Sequence, residues 1–155
     1  MSKSFGLSGL RIGWLITKNQ SQMNQFQKLR DYITICSSAP SEILALMALR
    51  AKNQIIQRNL AIIQHNLEVL DRFFDKYYQI FEWKRPLAGP VAFPRLLLND
   101  NVRDFCEELI RKKGVMLLPS AVYDLTTNHF RIGFGRKNLP EAIGKLDDHI
   151  RENHL

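Results

Sequence analysis

From Glu42 to about Tyr78 the chain contains neither Gly nor Pro. Along that run Ile56, Leu60, Ile63, Leu67, Leu70, Phe74 and Tyr77 recur in alternating steps of four and three. Such spacing keeps one apolar stripe on one side of a helix, so a single long helix is predicted. Without internal caps, a helix of this length is either a dimerising coil or a spine that carries the chain from one domain into another. Ile55, Ile62, Val69 and Phe73 widen the stripe beyond a two-helix seam, which favours the spine.

Shorter elements flank this helix. Ahead of it, "LRIGWLIT" reads as a buried strand and "QSQMNQFQKLRDYI" as an amphipathic helix with Met23, Phe26 and Leu29 near one face. "CSSAPSE" is a loop whose serines and Pro40 suit a helix start. Beyond it, "FEWKRPLAGPVAFPRLLL" predicts two strands around an Ala-Gly-Pro turn. Val102, Phe105, Cys106, Leu109 and Ile110 then form a helical face that stops at Gly114, a suitable C-terminal cap. "VMLLP" and "HFRIGFG" follow as strands, and "NLPEAIGKLDDHI" as a last helix, with Asn138 as cap, Pro140 in its first turn and Glu141 placed for a capping box. Strands with helices between and after them predict an α+β module.

Composition narrows the function classes. An apolar share of 45% with nine Phe is enough for a packed core. The formal charge of +7 raises nucleic-acid binding, but the cations are scattered in short groups such as Lys84-Arg85 and Arg136-Lys137, with no basic arm or aromatic RNA-binding motif. The most apolar windows, "ILALMAL" and "PRLLL", are too short to cross a bilayer, so a soluble cytoplasmic protein without membrane or nucleic-acid partners is expected. Cys36 and Cys106, without a CxxC pattern, read as small apolar packing residues, and no metal site is expected.

The opening stretch, "MSKSFGLSGLRIGW", carries the candidate chemistry. Its glycines, Gly6, Gly9 and Gly13, permit turns closed to other residues and close approach of a ligand. Arg11 offers a rigid guanidinium suited to a phosphate. A lysine beside such a cation, Lys3, loses its proton more easily, as an amine must before it attacks a carbonyl. Together they suggest Schiff-base chemistry on a phosphorylated aldehyde.

Lys3, Gly6, Leu7, Gly9, Arg11, Ile12 and Gly13 follow the pattern Lys-x-x-Gly-Leu-x-Gly-x-Arg-hydrophobic-Gly. The string resembles the cofactor-lysine signature of the fold-type I pyridoxal-phosphate enzymes, the class I/II aminotransferases in particular. That resemblance implies pyridoxal 5'-phosphate as cofactor, Lys3 as the residue that binds it covalently and moves protons, and Arg11 as its phosphate ligand. "HFRIGFGR" is similar to the family's late strand, which places Arg131 on the substrate α-carboxylate. Alternation supports this independently, since Phe130, Ile132 and Phe134 share one face and leave Arg131 and Gly133 on the other. The resemblance further implies an amino acid and a 2-oxo acid as substrates and a homodimer or other self-association. It assigns residues 1–50 to a remnant of the large cofactor-binding domain and 51–155 to the long helix and small α+β domain. Family elements that precede the lysine have no counterpart in these 155 residues. The chain is therefore expected to be a C-terminal portion that does not transaminate alone. Decarboxylases, C–S lyases and cyclising synthases share the motifs and remain open, as does a non-catalytic helical interaction module.

Overall fold

The computed structural model describes residues 1–98 and 101–153. The chain divides into two compact units, Met1–Asn59 and Leu60–Leu155.

The first unit starts with a 3-10 turn over Ser8–Leu10, followed by helix α1 (Gln20–Ile33), helix α2 (Ala39–Arg50) and the beginning of α3 (Lys52–Lys76). Asn19 caps α1 by accepting from the Gln22 amide at 3.1 Å. Pro40 and Glu42 lie in the first turn of α2, where a missing N–H costs nothing and a negative charge meets the positive helix end. The long helix predicted from Glu42 is thus divided at Ala51, whose amide turns to the Leu49 and Met47 carbonyls. Neither Gly nor Pro marks that break.

The buried strand expected at "LRIGWLIT" is not formed. The backbone of 11–18 makes no ladder, and Trp14, Leu15 and Ile16 are 54, 73 and 85% exposed. An apolar run becomes a strand only beside another strand, and among the described residues of this unit there is none. The same lack of cover leaves Phe26 and Leu29 of α1 exposed, and places Cys36 in the open turn after Ile35 rather than in packing. Ala45 and Ala48 are its buried apolar residues among those described.

The second unit holds the core. Strands β1 (Phe81–Glu82) and β3 (Arg95–Leu96) pair antiparallel, with Phe81 opposite Leu96. Strands β2 (Val91–Ala92) and β4 (Leu118–Pro119) flank β5 (Phe130–Gly133), both antiparallel to it. The two strands expected around Ala-Gly-Pro therefore do not form one hairpin; the segment is shared between two sheets. Pro94, which has no N–H for a ladder, sits at the division, and its carbonyl accepts from the Phe130 amide at 3.0 Å.

Helices α4 (Val102–Lys113) and α5 (Leu139–Asn153) pack on each other. Val102, Phe105, Cys106 and Leu109 are buried as predicted, while Ile110 stays 45% exposed. Gly114 ends α4 at φ 68°. Phe81 lies at the centre of an aromatic cluster, with ring centroids 5.9, 5.6, 6.1 and 5.7 Å from those of Phe73, Phe74, Phe105 and Phe130. The pairs with Phe74, Phe105 and Phe130 are edge-on and that with Phe73 is tilted; aromatic pairs contribute about 1 kcal/mol each beyond area burial. The buried stripe of α3 is Leu67, Leu70, Phe73, Phe74 and Tyr77, continuing from its last turns. Among the described residues no helix is long and apolar enough to cross a membrane.

Candidate active site

Strand β5 aims its side chains in two directions. Phe130 and Ile132 are 0 and 3% exposed and enter the core. Arg131 and Gly133, alternating with them, face the other way, with Leu118 and Val91 as their register partners on β4 and β2. As the middle strand, β5 is hydrogen-bonded along both edges, which fixes the backbone beneath Arg131.

The guanidinium of Arg131 donates from Nη1 to the Tyr123 hydroxyl at 3.0 Å. Tyr123 meets Phe93 edge-on at 6.0 Å, and Phe93 stacks on His129 at 5.4 Å with the rings 7° apart. Arg131 and Gly133 also line a cavity of about 490 Å³, bounded by Gly114–Met116 and the start of α5. A Cβ on Gly133 would come no closer than 4.0 Å to the Pro90 carbonyl, so the glycine keeps this face low without being required by the backbone.

Lys3 and Arg11 belong to the first unit, Arg131 to the second. Lys3 opens a turn in which the Gly6 amide donates to the Lys3 carbonyl at 3.2 Å, with Gly6 at φ 67°. That φ explains the glycine. Asn59 on α3 holds the turn by donating to the Ser4 carbonyl at 2.9 Å. Arg11 was expected at a strand entrance; with no strand formed, it closes the 3-10 turn instead, at φ 51°, its Nη1 bonded to the Ser8 carbonyl at 3.1 Å. A left-handed arginine costs about 1 kcal/mol. Both side chains are exposed, and among the described residues neither meets a carboxylate. One amine and one guanidinium on a single short segment are the donor set that an aldehyde and a phosphate require, so the residues present fit pyridoxal phosphate.

Two contributors escaped sequence reading. Tyr123 and Asn128 look like ordinary loop residues, yet Tyr123 receives the Arg131 bond, and Asn128 ties α4 to β3 by accepting from the Val102 amide and donating to the Leu96 carbonyl. A third is Asn66, 1% exposed within the apolar face of α3. Its Nδ2 donates to the carbonyls of Phe134 and Arg136, at 2.8 and 2.7 Å, just beyond β5. A polar residue interrupting an apolar stripe was its only signal.

Residues 1–146 match the family model described as Aminotransferase class I and II. The chain belongs to that family. Capreomycidine synthase of Streptomyces vinaceus is 28% identical over 152 residues, covering 97% of this chain and 39% of that protein. Among solved structures, a PLP-dependent aminotransferase from Streptococcus suis superposes with TM-score 0.89 at 28% identity, covering 97% of this chain and 40% of the other. The PLP-dependent cyclase OrfR gives 0.85 at 27%, covering 97 and 41%. The chain thus spans about two fifths of the relatives it matches. Class I/II membership and PLP-dependent neighbours indicate pyridoxal 5'-phosphate as the cofactor, and the α+β architecture is that of the corresponding part of the aminotransferase fold.

Proposed function

We propose that the whole protein transfers an amino group between an amino acid and a 2-oxo acid, and that this chain supplies three of its working groups. Lys3 carries the cofactor through Nζ, and Arg11 binds the cofactor phosphate. Arg131 clamps the substrate α-carboxylate. Pyridoxal phosphate, when bound, supplies the electron sink that makes the substrate Cα–H acidic. Nζ of Lys3, freed from the cofactor once the substrate amine takes its place there, would take that proton and return it, acting as base and acid in turn. The Tyr123 hydroxyl holds the Arg131 fork in one orientation, so less side-chain freedom is lost when a carboxylate docks.

The observation that carries this reading is Arg131 on the open face of a strand fixed along both edges, beside Gly133 and over a cavity, in a chain whose start bears the lysine signature. The exposed apolar surface of the first unit supports a second proposal, that the chain pairs with a copy of itself or with further polypeptide of the same protein. The chain alone is proposed not to turn over. A cyclising synthase is the second reading, favoured by the similarity to capreomycidine synthase.

Incubation with pyridoxal phosphate, borohydride reduction and peptide mass mapping test the assignment. Selective labelling of Lys3, lost in Arg11→Gln, is the expected result. Labels spread over the exposed lysines without preference for Lys3 overturn it.

A further inference from the structure

Arg131 uses one of its donors on the Tyr123 hydroxyl, and that bond leaves the phenol half engaged. A phenol accepts through its oxygen and donates through its own O–H, whereas a guanidinium only donates. The 3.0 Å contact therefore has one direction, from Arg131 Nη1 to the Tyr123 oxygen. Among the described residues no acceptor meets the Tyr123 O–H, and no carboxylate pairs with Arg131. Accepting from a cation draws electron density from the phenol oxygen and makes its O–H a stronger donor. A cation and a strengthened donor thus stand side by side without an anion between them.

Tyr123 is also held in place. It ends the 3-10 turn over Ser120–Tyr123, whose first amide, that of Ser120, donates to the His129 carbonyl at 2.8 Å. The hydroxyl of the buried Ser120 donates to the Thr127 carbonyl. Against the ring, Phe93 meets Tyr123 edge-on at 6.0 Å and is itself stacked on His129. The phenol is therefore anchored to the residues that lead into β5, the strand that presents Arg131. Phe93 and Tyr123 are nonetheless exposed, so a small ligand reaches the hydroxyl.

A guanidinium offers neighbouring N–H groups in a flat fork whose spacing suits the two oxygens of a carboxylate. With the phenol oxygen on one of these groups, a carboxylate oxygen on the next lies beside the phenol, within reach of its O–H. We infer that Tyr123 is a substrate-binding residue: its O–H donates to the carboxylate that Arg131 holds, so that one carboxylate meets a guanidinium and a phenol together. The inference rests on the carboxylate role proposed for Arg131.

The test titrates the full chain with propionate at fixed ionic strength and about pH 6, where phenols stay protonated, following the Arg131 Nε–Hε resonance by NMR. Tyr123→Phe keeps the ring against Phe93 and should weaken propionate about ten-fold, the lower end for a hydrogen bond to a charged group because the site is exposed. Fluorine on the ring makes the hydroxyl a stronger donor and a weaker acceptor, so its two roles predict opposite signs. Tyr123→3-fluorotyrosine should bind propionate about two-fold tighter than the parent chain. Equal or weaker binding in the fluorinated chain overturns the inference, since the hydroxyl then serves Arg131 as an acceptor alone, and the carboxylate role of Arg131 stands. An unaltered affinity in Tyr123→Phe overturns it too. If propionate does not move the Arg131 resonance, or binds Arg131→Gln equally well, the carboxylate role of Arg131 falls and the inference with it.

Discussion

Replacing Asn66 by Ala removes a buried donor that serves two carbonyls at once. Asn66 is 1% exposed, and its Nδ2 reaches Phe134 O and Arg136 O at 2.8 and 2.7 Å, nearly seventy residues away along the chain. A buried carbonyl left without a donor costs about 1–3 kcal/mol. Two of them set a range of about 2–6 kcal/mol, and two features place the result in its lower part. The Arg136 carbonyl is only partly buried, so water reaches it once the amide is gone. Asn66 Oδ1 is itself buried without a partner among the described residues, and the substitution relieves that group. Asn66→Ala should therefore destabilise the second unit by about 2–4 kcal/mol.

Asn66→Asp sharpens the test. A carboxylate facing two carbonyls is stable there only when protonated, so its folded pKa is raised above the unfolded value of about 3.9. The stabilising contribution is then present below that value and lost as pH rises through the folded pKa, so the deficit against the parent chain grows from acid towards neutral pH. Urea titration followed by Trp83 fluorescence measures both variants. Trp83 stacks on Phe74 at 4.5 Å and donates to Asp71 Oδ1 at 2.8 Å, and Trp14→Phe silences the first unit. A loss under about 0.5 kcal/mol for Asn66→Ala, or a pH-independent deficit for Asn66→Asp, would refute the reasoning.

Two further outcomes are expected. Burial alone would raise the Asp147 pKa, but hydrogen bonds from Lys76 and Tyr77 and the charges of Lys76 and Arg151 outweigh it and hold the carboxyl low. A depressed carboxyl stabilises above its unfolded pKa of about 3.9 and loses that contribution as pH falls through the folded value, so Asp147→Asn should flatten the acid side of the stability profile; an unchanged slope counts against the cluster. In sedimentation velocity the chain should self-associate with rising concentration, and Leu15→Lys with Ile16→Lys should weaken this, because both side chains are exposed in the isolated unit. A monomer at all concentrations would remove the proposal of a covered apolar surface.

What could be read from the sequence was local. The limits of α1 agree with the predicted helix, because Asn19 caps it and the apolar spacing is complete within the segment. Gly114 was recognisable because a left-handed cap falls on glycine. The direction of Arg131 followed from strand alternation alone. Pairing could not be read in this way. Val91 meets Gly133 and Phe81 meets Leu96 across intervals that leave no mark in the segment between them, so one expected hairpin became parts of two sheets. "LRIGWLIT" has strand composition, but composition supplies no neighbour, and without one its apolar side chains remain in solvent.

The candidate site divides along the same line. Lys3, Arg11 and Arg131 stand out as candidates in the sequence because they fall on a lysine-to-glycine string and a late strand that resemble the aminotransferase pattern, not by residue type alone. The groups that support them have no such mark. Tyr123 orients Arg131 from the 3-10 turn over Ser120–Tyr123, eight residues upstream, Asn59 holds the Lys3 turn from a helix, and Asn66 secures the end of β5 from within an apolar stripe. Each acts through one or two hydrogen bonds to a particular partner, and that role exists only after the chain has folded. Removing one of them should therefore alter the positioning of a reactive group while leaving its chemistry intact, whereas under the roles proposed for them removing Lys3 or Arg131 should abolish the chemistry itself. Stability and ligand affinity measured on the same variants separate the two classes.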